Sequence, residues 1–289
     1  MIFMATSKKS SSSAEGNDRE GEAADQEASF LVRVWDQVGT LILAIVIALA
    51  IRAVVIEPFR IPSGSMLPTL LIGDHLFVNK FIYGARVPFT DWRLPGIREP
   101  RRGDVVVFEV ARTPGGGIVP ADRKPDLPGD DFIKRLVGLP GDRITARDGR
   151  LTINGVPMEQ IDFDLEHRDE LGRRLDVRTE MLEACGHEIL DDPGLGGLQV
   201  VDFVVPEGRY FMMGDNRDYS NDSRQWGTVR LEEMKGPAFL LYWSWDVNGN
   251  ALQFFNPLNW FKAEKRWDRV FSPVRCESRA EIEEELRAS

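Results

Sequence analysis

The pattern of hydrophobic and polar positions divides the chain into a polar start, one long apolar run and an alternating body. Residues 1–33 are dominated by Ser, Glu, Asp, Ala and Gly. Such a segment cannot bury enough apolar surface to offset its loss of conformational entropy, so we expect a disordered tail. The body, from about residue 58, alternates apolar and polar residues in short runs, which is typical of β-strands.

The apolar run extends from Val38 to Ile56 and is interrupted by one charge, Arg52. As a helix, its 19 residues would span about 28 Å, close to the hydrocarbon thickness of about 30 Å of a bilayer. Arg52 lies near one end, where its side chain can reach the membrane interface. The pattern predicts one N-terminal transmembrane helix over residues 34–57.

Two other interpretations of this run stay open. One is a buried helix of a soluble domain. The other is a cleavable secretory signal, because Ala48-Leu49-Ala50 has the small-x-small pattern of a cleavage site. The long, net acidic segment before the run and its continuation to Ile56 favour an uncleaved anchor. Lysines and arginines of residues 1–33 predict a cytoplasmic N-terminus, which leaves the body on the outer face.

The body reads as a mainly β, antiparallel domain with a smaller domain inserted into it. Strands are predicted at 75–83, 104–110, 132–137, 144–147, 150–153, 200–205, 209–213, 239–245 and 252–255. Residues 162–197 are charged, loop-rich and weakly patterned. We therefore expect a catalytic β domain from 58–147 and 202–275, an inserted β/loop subdomain at 148–201, and an acidic helix at 276–289. A Ser278-x-x-Glu281 capping box would begin that helix.

The charge and the cysteine count exclude several function classes. A formal net charge of −10 argues against a nucleic-acid surface, which needs clustered Lys and Arg. The two cysteines, Cys185 and Cys276, form no zinc motif, and the sequence leaves open whether they pair.

Aromatic residues are concentrated in a stretch near the C-terminus. A packed core and a membrane-facing surface are equally consistent with this stretch, which contains Trp243, Trp245, Phe254, Phe255, Trp260 and Phe261.

Candidate chemistry lies in the loop Ile61–Leu70, where Ser63 and Ser65 flank a glycine between two prolines. The prolines restrict the backbone, and the glycine lets another chain approach closely. A serine held in this way can attack a carbonyl if a base removes its proton. On local evidence alone, an ordinary Ser/Gly/Pro turn is the simpler interpretation.

The base could be a histidine or a lysine. The three histidines (His75, His167 and His187) lie in no recognisable triad motif. Lys134 shares a predicted strand face with Phe132 and Leu136. To act as a base near pH 7, Lys134 must be neutral there. Its pKa must then be about three units lower than in water, which requires about 4 kcal/mol of differential solvation of the charged and neutral forms. The alternative is an edge lysine that reaches into solvent.

Five sequence boxes resemble those of the bacterial type I signal peptidases, or leader peptidases. They follow the family's order behind the apolar run. The boxes are Ile61-Pro-Ser-Gly-Ser-Met-Leu-Pro-Thr-Leu70, Gly73-Asp-His-Leu-Phe-Val-Asn-Lys-Phe81, Arg102-Gly-Asp-Val-Val-Val-Phe108, Phe132-Ile-Lys-Arg-Leu-Val-Gly-Leu-Pro-Gly-Asp142 and Gly214-Asp-Asn-Arg-Asp-Tyr-Ser-Asn-Asp-Ser-Arg224. The resemblance covers Phe59 to about Gly227, apart from the insertion.

The resemblance implies a role for each matching residue. Ser65 matches the nucleophile and Lys134 the general base, a Ser–Lys dyad. Ser63 matches an oxyanion-hole hydroxyl and Ser220 a hydroxyl that orients the lysine, while Asp222 and Arg224 match a supporting charged pair. Members of the family bind the small residues that precede the cleavage site in shallow pockets. Proximity to Ser65 makes Ile61, Met66 and Leu70 the candidates for lining those pockets here. Such hydrolases use no cofactor and no metal.

The resemblance therefore implies a membrane-bound serine endopeptidase that removes signal peptides from exported preproteins. Its expected partners are preprotein signal peptides with small residues before the cleavage site and the lipid bilayer, with no nucleic acid. The expected location is the outer (periplasmic) face of a bacterial inner membrane, with a single pass. Two alternatives remain: a self-cleaving Ser–Lys protein of the SOS-repressor type, and a membrane-anchored β domain that binds peptides without cutting them.

Overall fold

The computed structural model describes residues 35, 37–49, 51–52, 55–87, 90, 92–123, 127, 129–169, 172–195, 200–246 and 264–288. The chain separates between Arg52 and Ala53 into two units, which are described separately. The predicted tail, 1–33, lies outside the described residues. Residues 37–49 and 51–52 are helical, but no helix within the described ranges has the length and apolar character required to cross a membrane.

The body is a mainly antiparallel β structure, as the alternating pattern predicts. Its strands are β1 (Ile56–Arg60), β2 (Asp74–Asn79), β3 (Val105–Arg112), β4 (Ile118–Pro120), β5 (Gly129–Gly138), β6 (Arg143–Arg147), β7 (Arg150–Ile153), β8 (Val156–Pro157), β9 (Glu159–Arg168), β10 (Arg174–Leu182), β11 (Cys185–Asp191), β12 (Val200–Val204), β13 (Arg209–Met213), β14 (Val229–Arg230), β15 (Met234–Asp246) and β16 (Glu264–Lys265). Two α-helices, Ser223–Trp226 and Arg279–Ala288, and several 3-10 turns accompany the strands in the described part of the body.

The largest sheet has the order β1-β2-β15-β3-β5-β13-β14, with β16 on β15 and β4 on β3. β5 is an interior strand, paired on one side with β3 and on the other with β13. Every residue from Ile133 to Gly138 is buried, so both faces of this half of β5 are covered. A strand covered on both faces usually lacks the alternation of apolar and polar residues. Any charged side chain that it carries must form hydrogen bonds or ion pairs within the protein interior.

The insertion contains more regular structure than the sequence pattern indicated. The loop-rich interpretation of 162–197 is wrong, because β9, β10 and β11 form a three-stranded sheet there. The pattern was obscured because buried positions on these strands include charged or polar residues, such as Glu180 and His187. A second sheet, β12-β6-β7-β8, spans both ends of the predicted insertion. The domain boundaries at 147/148 and 201/202 therefore stay a prediction.

Cys185 and Cys276 form a disulfide. It joins the start of β11 to the segment that precedes the C-terminal helix. That helix begins with the expected capping box: Ser278 N–H donates to Glu281 Oε2 at 2.7 Å, and Glu281 N–H donates to Ser278 Oγ at 3.3 Å. These hydrogen bonds lower the pKa of Glu281 to about 2.

The aromatic question is settled only in part. Trp245 is buried, and Trp243 packs edge-on against both Trp245 and Trp267. Trp243 and Trp245 lie at the end of β15, whereas Trp267 lies in a short 3-10 helix and is exposed. The other four residues of the predicted aromatic stretch, Phe254, Phe255, Trp260 and Phe261, lie outside the described residues.

Replacing both cysteines by serine should lower the free energy of unfolding of the body by about 2–4 kcal/mol. The disulfide closes a loop of 91 residues, and losing the cross-link restores conformational freedom to the unfolded chain. Urea denaturation in detergent, followed by tryptophan fluorescence, measures the change. Reduced wild-type protein is the control and should match the Cys185→Ser/Cys276→Ser variant. Equal stability of oxidised and reduced protein would contradict this expectation.

Candidate active site

Ser63 and Ser65 lie in a braced loop between β1 and β2. Ser63 has an extended backbone, and Gly64–Met66 forms one turn of 3-10 helix. Both ends of the loop are joined, since Ile61 N–H donates to Asp74 O at 2.8 Å and Gly73 N–H donates to Ile61 O at 3.0 Å. Ser63 is exposed and Ser65 half-buried, so the loop presents two hydroxyls to solvent from a fixed frame.

Asn216 fixes the turn from outside. Its side-chain Nδ2 donates to Gly64 O at 3.0 Å, and its backbone N–H donates to Ser65 O at 3.2 Å. Gly214 lies against the same carbonyl, and a Cβ there would collide with Ser65 O and with the Ser220 side chain. The sequence therefore needs a glycine at 214 to let the two chain segments meet.

Lys134 reaches Ser65 from β5. The distance from Lys134 Nζ to Ser65 Oγ is 2.7 Å, and Nζ also donates to Ile133 O at 2.8 Å. The Phe132 ring centroid is 5.3 Å from the amine. The side chain is only 3% exposed, and burial lowers the pKa of Lys134 to about 8. A fraction of the protein thus carries a neutral amine near pH 7, in hydrogen-bond contact with a hydroxyl.

Asp222 and Arg224 form a buried ion pair beside the amine. Arg224 donates to both carboxylate oxygens of Asp222, at 2.8 and 2.7 Å. Asp222 also accepts from Gly214 N–H at 3.0 Å, and it caps the helix Ser223–Trp226. The Asp222 carboxylate raises the pKa of Lys134, whereas the Arg224 charge lowers it. The pair therefore adds little net charge to the neighbourhood of the amine.

A second buried ion pair was not anticipated from the sequence. Arg135 donates to both oxygens of Asp215, at 2.8 and 2.7 Å, and both side chains are about 1% exposed. Thr69 Oγ1, in the same loop as Ser65, donates to Asp215 Oδ2 at 2.6 Å. Asp215 lies in the box beginning at Gly214 and Arg135 follows Lys134. Their position within two boxes was therefore the available signal.

The network continues into the inserted sheet. His187 on β11 is fully buried, with its Nε2 at 3.8 Å from oxygens of both Asp215 and Glu180. Glu180 on β10 pairs with Arg217 through the two terminal guanidinium nitrogens, Nη1 and Nη2. Burial, and then the charges of Arg135 and Arg217, hold the pKa of His187 well below its usual value. His187 is thus neutral between the two ion pairs.

Ser220 makes no hydrogen bond to the amine in this arrangement. Its Oγ is buried, and the hydroxyl is one of the groups that lower the pKa of the Asp222 carboxyl. The amine instead donates to the backbone of Ile133 and to Ser65. The orienting role expected for Ser220 stays a prediction.

The side chains expected to form a substrate pocket belong to the core. Ile61, Met66 and Leu70 are at most 2% exposed and pack with strands of the main sheet. Because these three side chains are buried, a peptide could not contact them in this arrangement. Their role in lining a substrate pocket stays a prediction. A cleft of about 580 Å³ lies beside Ser63 and Ser65, and its apolar lining comes from Leu67, Leu71 and Ile72 instead.

None of the described residues forms a group of three or more His, Cys, Asp or Glu side chains that could hold a metal ion. The chemistry open to the site through its own groups is a proton transfer from Ser65 to Lys134 and attack by the resulting alkoxide.

Comparison with known proteins identifies the family. Residues 34–243 match the family of signal peptidases, peptidase S26. The chain is 41% identical over 211 residues to signal peptidase I of Pseudomonas fluorescens, covering 69% of each chain. It is 39% identical over 213 residues to signal peptidase I of Pseudomonas aeruginosa, again covering 69% of each.

A solved signal peptidase I from Enterococcus faecalis V583 shares 27% identity, with 49% of this chain and 98% of that chain covered and a TM-score of 0.26. The structural overlap is too small to support an argument, so the assignment rests on the sequence matches. The family match covers most of the chain, including both Ser65 and Lys134. The chain belongs to the signal peptidase family, peptidase S26.

Proposed function

We propose that this protein is a membrane-bound serine endopeptidase that cleaves N-terminal signal peptides from exported preproteins with a Ser65–Lys134 dyad. The family supplies the reaction, and the contact of 2.7 Å between a buried lysine amine and the Ser65 hydroxyl is the observation that carries the assignment of residues. No histidine lies in either role.

In this mechanism the neutral Lys134 amine takes the proton of Ser65 as Oγ attacks the scissile carbonyl. The tetrahedral oxyanion is stabilised by the exposed Ser63 hydroxyl and the Ser65 N–H. Collapse of the intermediate breaks the C–N bond, and the protonated amine of Lys134 gives its proton to the leaving amine. Lys134 then takes a proton from a water molecule, which hydrolyses the acyl-enzyme and restores Ser65.

The remaining predicted residues support the dyad. Asp222 and Arg224 hold the loop that contains Gly214 against Ser65, and Ser220 lies buried in that loop. The role of orienting the amine, which the family resemblance implies for Ser220, is part of this proposal.

The apolar run and the disulfide support the proposed location. Residues 38–56 form the only long apolar stretch of the sequence and would anchor the protein in a bacterial inner membrane, with the N-terminus cytoplasmic. The body would face the outside, where structural disulfides such as Cys185–Cys276 persist. Ser65 follows Ile56 by nine residues, so even a fully extended link holds it within about 30 Å of the bilayer.

Removing either member of the dyad should abolish cleavage of a purified preprotein. Ser65→Ala lacks the nucleophile, and Lys134→Ala should lose about 10²- to 10⁴-fold through loss of the base. Lys134→Arg should be equally inactive, because a guanidinium stays protonated and cannot accept the serine proton.

Gel analysis of preprotein cleavage measures these losses. The matched control is Lys235→Ala, which removes a lysine that pairs with Asp131 at the surface and should keep full activity. Retained cleavage in Ser65→Ala or Lys134→Ala would reject the dyad. Tight preprotein binding without cleavage by the wild-type protein would instead favour a non-catalytic binding domain.

The value of kcat/KM should rise with pH and level off above about 8. Only the neutral amine can accept the serine proton, and burial lowers the pKa of Lys134 to about 8, so activity appears as that proton leaves. Asp222→Asn should move the inflection to lower pH, because the Asp222 carboxylate raises the lysine pKa. Asp131→Asn, at the surface, should leave it in place. An inflection near the ordinary lysine pKa, about 10.4, would contradict a dry amine.

Deleting residues 1–52 should release the protein from membranes. The full chain should sediment with the membrane fraction after a high-salt wash, because burial of residues 38–56 in the bilayer is not screened by salt. A variant that lacks only residues 1–33 is the control and should stay in the membrane fraction. A full chain that is released by salt would contradict the anchor.

A further inference from the structure

The cleft beside Ser65 has a wall that comes from the inserted sheet. Its lining includes Ser63 and Ser65 from the nucleophile loop and His167, Arg168, Asp169 and Arg173 from the end of the β9–β10 hairpin. We call these last four residues the hairpin tip. Any peptide segment that reaches Ser65 through this cleft therefore passes side chains that no family motif in the sequence includes.

The hairpin tip is tied to the catalytic body through Arg173. Its guanidinium carbon lies 3.7 Å from the centroid of the Tyr219 ring, and the Tyr219 hydroxyl donates to Asp192 at 2.5 Å. Arg173 also pairs with Asp169 at 2.5 Å, and Gly172 N–H donates to Asp169 O at 2.9 Å. These contacts hold the tip in one position relative to the segment that carries Tyr219, close to Asn216 and the nucleophile turn.

The charge of the cleft is opposite to that of the protein. The chain carries a formal net charge of −10, yet the lining has three arginines (Arg168, Arg173 and Arg266) and one carboxylate, Asp169. A positive patch inside a concave site concentrates negative groups and repels positive ones. The excess positive charge of these arginines therefore lies in the cleft beside Ser65, where the proposed function places the substrate.

Arg168 is the arginine of this lining that is free to meet a substrate. Arg173 is committed to Asp169 and Tyr219, and Arg266 donates to Ile72 O at 3.0 Å. Arg168 is exposed, and its hydrogen bond to Gly172 O is long, at 3.5 Å. No carboxylate in the described part of the chain forms an ion pair with it.

We propose that the hairpin tip is a specificity wall of the cleft, in which Arg168 selects preproteins that carry an acidic side chain close to the cleavage site. This inference rests on the proposed function, since it concerns the substrate of the same site. The interaction between Arg168 and the substrate side chain is electrostatic and acts at a solvent-exposed position. It therefore distinguishes acidic from basic substrates without altering the dyad. A basic side chain at the same place would be repelled by the lining.

The test is a charge swap between enzyme and substrate. The full-length protein in non-ionic detergent is given peptides spanning a signal-peptide cleavage site, with Glu, Gln or Lys placed in turn at each position that does not require a small residue. For at least one position, the wild-type kcat/KM should favour Glu over Lys by about twofold to fivefold, as expected for one exposed charge pair. The preference should shrink as salt is raised, because the Debye length falls from about 30 Å at 0.01 M to about 3 Å at 1 M.

Arg168→Glu should reverse that preference at the same position, Arg168→Gln should bring the ratio close to one, and Arg168→Lys should retain it. Arg150→Glu makes the same charge change at an exposed residue of β7 outside the cleft lining and should leave the ratio unchanged. A ratio that Arg168→Glu does not alter, or that Arg150→Glu alters equally, would overturn the specificity wall while leaving the peptidase intact. Failure of the wild-type protein to cut any peptide or preprotein would overturn the proposed function and this inference together.

Discussion

The removal of one lysine amine from water is the constraint on which the rest of the site depends. Lys134 has a pKa of about 8 because burial destabilises its charged form, a cost of about 3 kcal/mol relative to a lysine in water. Two carboxylates oppose that effect, since Asp222 and Asp215 both raise the pKa. Left unpaired, they would restore the charge on the amine. Each is instead held by an arginine through two hydrogen bonds, so buried polar structure surrounds the amine without supplying a dominant counter-ion.

Two consecutive residues of β5, Lys134 and Arg135, connect this strand to the loop that carries Ser65. Lys134 contacts Ser65 directly, and Arg135 binds Asp215, which accepts a hydrogen bond from Thr69 in the same loop. Neighbouring residues on a strand face opposite sides, so this arrangement requires a strand that is buried on both faces. A strand with one face open to solvent could have buried the lysine or the arginine, but the other would have reached solvent. The coverage of both faces of β5 over Ile133–Gly138 is thus what allows Lys134 and Arg135 to be buried together.

The sequence predicted the strands whose alternation is carried by apolar residues. β13 was predicted with its observed bounds, Arg209–Met213, and the hairpin of β6 and β7 to within one residue. It placed Ser65 and Lys134 in one site only through the family resemblance, because strand alternation could not show which face of β5 is inward. The structure removes that ambiguity by covering both faces. The contacts from Asp215 to Thr69 and Arg135 span 146 and 80 residues, and no local pattern encodes pairings at that separation.

The sequence pattern predicts loops in the insertion because its strands carry charged residues at buried positions. A segment rich in charge looks like a loop when each charge is assumed to face solvent, yet Glu180 is fully buried because Arg217 neutralises it. His187 separates this pair from Arg135–Asp215 and is neutral, since burial and the two arginines lower its pKa. A charged group at that position would shift the balance of the adjacent ion pairs, and hence the field at Lys134. The inserted sheet therefore contributes buried, paired charges beside the candidate site, while Arg168 of its hairpin tip lines the cleft without an ion pair to any carboxylate in the described ranges.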